Sequence, residues 1–344
     1  MATDSSARRA HPRKAHIVGG PAPPADADGT RRSAADAAQR FDEDRAHRAD
    51  EDGAHPADEA SDSRADQAAG SRSEQDGASR PWALEVFDHS LKKRLKVDLL
   101  TEMAGELQGK RCLLVTFGDN PGALNWHLRN GGGEWCWAEM EPERIPAMEA
   151  LLGDPVEPAT AERLPFDNQS FDLVVSIDVH EHLDEVEPFN RELARLLAPG
   201  GGALVTTPNG DRSLPLARLK RLLGMSPQVY GHRVQGYTTE ELASMLAAVG
   251  LAPETQGAYS RFFTESIELA INLAYVKVLG RSPGGESPKE GEIAPASEGE
   301  LKRLGGPYRV YRAVYPLLRA VSHLDRLIPG SGGYAVAVLA RKSS

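Results

Sequence analysis

Residues 171–178 read FDLVVSID, an apolar run with almost no polar alternation. A strand of that composition is covered on both faces, which is the situation inside a parallel sheet flanked by helices. CLLVTF at 112–117 has the same character, and between and around these runs the chain alternates. PWALEVFDHSLKKRLKVDLLTEMAGEL has helical apolar spacing and a basic exposed face. ALNWHLRN reads as a helix ended by Gly131-Gly132-Gly133, WCWAEM as a strand, and PERIPAMEALLG as a helix with proline in its first turn. PVEPATAERLPF is a short extended piece, PFNRELARLLAPGG an amphipathic helix stopped by Pro and Gly, ALVTTPN a strand, TTEELASMLAAVGL a helix and YAVAVLARK a closing strand. Strands alternating with helices through short connections predict an α/β fold. Right-handed crossovers make it a Rossmann-like, doubly wound sheet with helices on both faces, and its ligand belongs at the carboxyl ends of the strands.

Composition divides the chain. From Met1 to Arg80 the only large apolar side chains are Met1, Ile17, Val18 and Phe41, too few to offset the entropy of ordering, so residues 1–80 are expected to be a disordered tail. Residues 81–260 form the expected core and 261–330 a helical insertion with a flexible linker near 281–300. Residues 331–344 are the final strand and its end. A formal net charge of −10 argues against broad nucleic-acid binding. Arg8-Arg9 is followed by no apolar core of an export signal, and no apolar run is long enough to cross a bilayer. Cys112 and Cys136, both in predicted strands, are expected to be buried free thiols, and the expected location is the cytoplasm.

VTFGDNPGAL at 115–124 runs from a buried strand through a glycine-containing turn into a helix, the layout of a nucleotide-binding loop. It offers Gly118 and Gly122, with Asn120 where a third glycine would stand. About 20 residues further on, at the end of the second strand, Glu139 is placed to bond the ribose hydroxyls of an adenosine. No basic residue stands near it to favour a nicotinamide phosphate.

AERLPFDNQSFDLVVSIDVHEHL, LLAPGG, TTPN and YTTEEL, in that order and spacing, resemble the class I S-adenosylmethionine-dependent methyltransferases, nearest the branch of ubiquinone-biosynthesis and sugar or lipid methyltransferases. The likeness covers roughly Leu91 to Gly250, with an echo in the last strand. It implies a mostly parallel seven-stranded sheet with an antiparallel last strand, and S-adenosylmethionine as cofactor. The family's acid-x-Gly-x-Gly-x-Gly becomes Thr116, Phe117, Gly118, Asp119, Asn120, Pro121, Gly122. Thr116 replaces the acid that helps hold the methionine end, which costs ~1.5–3 kcal/mol of charge-assisted bonding that Asp119 can partly restore. Asn120 tolerates left-handed backbone angles. Where the family often carries an acid for the adenine amino group stands Thr160, leaving Ala161 and Glu162 to present backbone groups.

On the acceptor side, Asp178 ends the fourth strand and DVHEHL faces the cofactor mouth. His180 and His182 are the candidate bases there, and a structural role for one of them stays open. A metal at His-Glu-His is disfavoured, because no third or fourth ligand follows at sensible spacing. YGHRVQGYTTEEL adds His232, Arg233 and Tyr237, either lining the acceptor mouth or pinning the loop. Near the C-terminus, YRVYRAVYPLLRAVSHLDRLIP places Arg312, Arg319 and Arg326 on an amphipathic helix bent at Pro316. It is either packed with a solvated basic face, or a lid or patch against an anionic membrane. The expectation is methyl transfer to a small-molecule or lipid-linked acceptor. Two alternatives stay open: a non-catalytic scaffold with a decayed loop, and, more weakly, a nicotinamide enzyme.

Overall fold

The computed structural model describes residues 80–118, 121–225, 231–279, 298–328 and 332–343. The expected tail up to residue 79, most of the expected linker, and the candidates Asp119 and Asn120 lie outside the described residues. The chain begins with α1 (Trp82–Asp88) and α2 (Leu91–Ala104), followed by β1 (Arg111–Thr116), α3 (Ala123–Arg129), β2 (Glu134–Glu139) and α4 (Ile145–Leu152). Then come β3 (Glu157–Pro158), β4 (Phe171–Ile177), α5 (Glu187–Leu196), β5 (Leu197–Pro208), α6 (Pro215–Leu222) and α7 (Thr239–Ala248). The last elements are β6 (Leu251–Tyr259), α8 (Phe262–Leu279), α9 (Glu298–Ser322) and β7 (Ala335–Lys342).

The strands form one seven-stranded sheet in the order β3-β2-β1-β4-β5-β7-β6. β1 is parallel to β2 and β4, and β4 to β5, whereas β7 runs antiparallel to both of its neighbours. The order reverses at β1, between β2 and β4, so the crevice of this doubly wound sheet opens at their carboxyl ends. The strand periodicity divides the core. Leu113 and Val115 pack with α5 and α7 through Phe189, Leu193, Leu242 and Leu246. Cys112 and Leu114 face the opposite layer with Leu100, Leu124 and Met148. That two-sided burial is what the unbroken apolar runs require. Cys112 and Cys136 are both free thiols, pushed by burial up to about 12.

Several boundaries differ from the sequence reading. The single helix expected at 81–107 is two, because Ser90 caps α2 by accepting from Lys93 N at 3.3 Å. Lys96, expected on an exposed basic face, is buried. LAPGG stops α5 as expected, yet its backbone already belongs to β5, joined across an irregularity opposite Phe171 and Leu173. α9 departs from helical angles at Gly305, not at Pro316, and it takes in residues 298–300 of the expected linker.

Two ionic contacts fix pieces that surround the crevice. Arg195 on α5 donates to the carbonyls of Leu164 and Phe166 at 3.0 and 2.9 Å and to Glu192, so the Leu-Pro-Phe turn is held from beneath. α8 is anchored by Glu265, 1% exposed, which accepts from Ser260 Oγ at 2.6 Å and pairs with Lys220 and Lys92. Burial by itself would raise the Glu265 carboxyl; the two ammonium groups outweigh it and hold the carboxyl at about 2. Lys220 is lowered by its own burial, so part of that gain is offset. A carboxyl held below its ordinary 4.5 contributes stability above that pH and loses it as the pH falls toward about 2. Glu265→Gln is therefore expected to destabilise the protein by roughly 3 kcal/mol at pH 7. The difference from wild type, read from urea midpoints, should shrink steadily below pH 4.5. A difference independent of pH would mean that the pair carries none of it.

Candidate functional site

β1 ends in a turn whose geometry needs glycine. Gly118 has φ +65°, and a Cβ there would collide with the Glu141 carboxylate. Beneath the turn lies Glu139, fully buried at the end of β2 and paired in register with Thr116. Its Oε2 accepts from Thr116 Oγ at 2.6 Å, and its Oε1 accepts from Gly118 N and Glu141 N, each at 2.8 Å. Burial raises the Glu139 carboxyl above its ordinary range, and these three donors oppose the shift. A carboxylate has about four lone-pair positions, so three donors leave it nearly saturated. Thr116 thus supplies a hydroxyl donor where an acid would have set two carboxylates against each other. Gly122, with φ +88°, starts α3. Ala159 N donates to Glu139 O at 3.0 Å, which brings the end of β3 beside the turn. Thr160 and Arg163 exchange backbone bonds at 3.2 and 3.3 Å, putting half-buried Ala161 and exposed Glu162 at the tip.

Beyond β4 the acidic side chains behave differently from one another. Asp178, with φ +51°, accepts from Thr206 Oγ at 3.0 Å and pairs with Lys96. Burial opposes ionisation, but the Lys96 ammonium prevails and holds the carboxyl below its ordinary range. Glu181 is fully buried, and burial together with the nearby Asp178 charge raises it well above the ordinary range. Its Oε2 accepts from Thr207 Oγ at 3.1 Å, whereas its Oε1 has no hydrogen-bond partner. His180 is also fully buried: Nε2 donates to Asn190 Oδ1 at 2.8 Å, the ring meets Phe189 edge-on, and burial lowers it to about 4. It points into the core and not into the crevice.

His182 is placed otherwise. Its ring stacks on Phe117 with centroids 4.2 Å apart and planes 6° apart, and it meets His232 edge-on at 4.9 Å. Its Nδ1 donates to Gly231 O at 3.1 Å. The loop between α6 and α7 is tied to the same turn, since Arg233 N and Val234 N donate to Glu181 O at 2.8 and 3.3 Å. Tyr237 N donates to Pro208 O at 3.0 Å, an approach that Gly236, φ +120°, permits because a Cβ there would collide with that carbonyl. Arg233 lies on the exposed rim, 3.5 Å from Asp184. The fold thus joins three segments far apart in the chain: the β1 turn, the His-Glu-His turn and the His232 loop. Phe117, Lys96, Glu181 and Thr207 were not singled out from sequence. Phe117 and Glu181 at least sit inside motifs that were, whereas Lys96 carries no local signal.

A family profile described as a methyltransferase domain matches residues 118–205. The phthiotriol/phenolphthiotriol dimycocerosates methyltransferase of Mycobacterium leprae is 29% identical over 127 residues, 34% of this chain and 45% of that protein. The ubiquinone biosynthesis O-methyltransferase of Chelativorans sp. is 29% identical over 126 residues, 35% of this chain and 49% of that protein. The chain spans about half the length of these curated relatives. A solved S-adenosylmethionine-dependent methyltransferase from Mesorhizobium loti aligns with a TM-score of 0.42 at 15% identity, covering 71% of this chain and 96% of that one. Residues 118–205, from the Gly118 turn into β5, thus match a methyltransferase domain, and over that region the chain is similar to known methyltransferases.

Proposed function

We propose that the protein moves a methyl group from S-adenosylmethionine to a nucleophilic oxygen on a lipid-linked acceptor. The observation that carries this reading is the stack of Phe117 on His182, which couples the glycine turn to the acceptor loop at one crevice. The site fits the cofactor: Gly118 holds a left-handed backbone angle that favours glycine, giving the tight turn such a loop needs, and its N–H donates to a buried carboxylate. When bound, S-adenosylmethionine supplies an electrophilic methyl on a sulfonium, and the protein's task is then alignment and exclusion of water. In this assignment Glu139 uses its remaining lone-pair capacity on the ribose, with Thr116, Gly118 and Gly122 framing the turn. Asp119 and Asn120 enter it from sequence alone. The tight turn carrying Ala161 and Glu162 borders the adenine, and Asp178, kept ionised by Lys96, faces the methionine end. His182 and His232 stand where an acceptor proton would be taken, while buried His180 positions that turn from inside.

A second reading, a scaffold that no longer binds cofactor, has its own support: Glu139 already accepts three bonds from its own turn. Calorimetric titration of the full chain with S-adenosylmethionine and S-adenosylhomocysteine, using NAD as control, separates the two. Binding of the first two, at least tenfold weaker in a normally folded Glu139→Ala variant, is the expected outcome. No heat at millimolar ligand would favour the scaffold.

The lipid-linked acceptor has support outside the crevice. One relative acts on phthiotriol and phenolphthiotriol dimycocerosates, and another is an O-methyltransferase of ubiquinone biosynthesis. On α9, Val310 is 64% and Leu317 66% exposed, with Val314 between them, and Arg309, Arg312 and Arg319 are exposed alongside. That pattern suits peripheral contact with an anionic surface. No helix among the described residues is long and apolar enough to cross a membrane. Val314→Asp/Leu317→Asp is expected to cut co-sedimentation with phosphatidylglycerol vesicles at least fivefold and leave S-adenosylmethionine affinity unchanged. Equal sedimentation of both proteins would remove the membrane face.

A further inference from the structure

Counting along the chain, the His-Glu-His turn lacks a third metal ligand. The fold supplies one from the loop between α6 and α7. One carboxylate oxygen of Glu181 and one ring nitrogen each of His182 and His232 lie within 4.8 Å of one another. We propose that Glu181, His182 and His232 bind a divalent first-row transition-metal ion at the acceptor side of the crevice.

Three further observations point the same way. Glu181 Oε1 is wholly buried without a hydrogen-bond partner, a costly state that a cation beside the carboxylate would relieve. The other oxygen is held by Thr207, so the carboxylate is already oriented. His182 donates through Nδ1 to Gly231 O, which fixes the tautomer that presents the Nε2 lone pair. A backbone carbonyl behind a histidine is a recurrent outer-shell partner of metal-binding imidazole. The Phe117 stack holds the same ring from its face.

The donor set selects the ion. Two imidazoles and one carboxylate suit zinc, cobalt, nickel or iron, whereas magnesium and calcium prefer oxygen donors alone. A tetrahedral ion with bonds of about 2.0–2.1 Å places its ligands roughly 3.3 Å apart, so closure asks only for small side-chain rotations. Three protein ligands leave at least one coordination position open, the pattern of a substrate-binding centre and not of a closed structural one. The binding site stands on these residues alone. That the open position takes an acceptor oxygen rests on the proposed function.

The test uses the full chain, stripped with a chelator and titrated with Co(II) while visible absorption is followed, with Zn(II) as competitor. One equivalent should bind with the intense d–d bands of a low-coordinate site, and Zn(II) should displace it. His11, His16, His47 and His55 precede the domain and can take up metal adventitiously. His182→Ala, His232→Ala and Glu181→Gln should therefore each weaken the spectroscopic site at least tenfold. Thermal melts check folding, and His232, half-buried in a loop, provides the variant least able to disturb the core. The same proteins are titrated with S-adenosylmethionine, so that loss of metal with cofactor binding intact separates this site from the cofactor reading. Featureless or superstoichiometric uptake, or uptake unchanged in a folded His232→Ala, overturns the proposal.

Discussion

The crevice depends on one buried carboxylate. Glu139 sits at the end of β2 with no exposure, and an unpaired charge in that position would cost several kcal/mol. It is tolerated because three donors meet it: Thr116 Oγ and Gly118 N where β1 leaves the sheet, and Glu141 N just past the end of β2. The dependence runs in both directions. The carboxylate gives the Gly118 turn its shape, and the turn makes the buried carboxylate affordable. Phe117, between Thr116 and Gly118, is thereby aimed, and its ring becomes the surface on which His182 stacks. The β1 turn and the His-Glu-His turn are thus joined by a ring stack.

The second organising feature is the contrast between Asp178 and Glu181. Both carboxyls lie at the carboxyl ends of β4 and β5, near enough for each charge to act on the other. Lys96 pairs with Asp178 and holds its carboxyl below the ordinary range, while burial and the Asp178 charge outweigh the groups that favour ionised Glu181 and raise its carboxyl. Environments that push two like groups apart in this way separate their chemical roles. A residue on α2, outside every motif, thus holds the Asp178 carboxyl low.

The fold was legible where burial is written as composition. FDLVVSID and CLLVTF are almost unbroken apolar runs, and they are the adjacent central strands β4 and β1. β6 was counted within the sheet but not located, because LAPETQGAY is a largely exposed edge strand, interrupted at Pro253, and shows neither an apolar run nor clean alternation. The site was legible in its positions more than in its contacts. Thr116 looked like the loss of an acid, because sequence shows what the cofactor would miss and not the hydroxyl that Glu139 gains. From sequence His180 is the more individual residue and His182 belongs to the family's Glu-His-Leu, yet it is His180 that is buried. The tight turn between them sends one ring to Asn190 and the other to Phe117, a difference that only the backbone path determines.

The ligand count at the His-Glu-His turn shows where linear reasoning stops. Spacing rules work when all ligands share one helix or hairpin, since a short segment then fixes their separation. Here the third donor arrives from a loop held by hydrogen bonds to the backbone of the same glutamate: Arg233 N and Val234 N both end on Glu181 O. Those bonds place His232 beside His182 regardless of how many residues intervene, and Gly236 lets the loop return close to Pro208. Glu181 thus acts twice, its main chain docking the loop and its side chain facing the imidazoles that docking delivers. Any change that loosens the loop must disturb the histidine pair together with the backbone that supports it, so the His-Glu-His turn and the His232 loop are built as one unit.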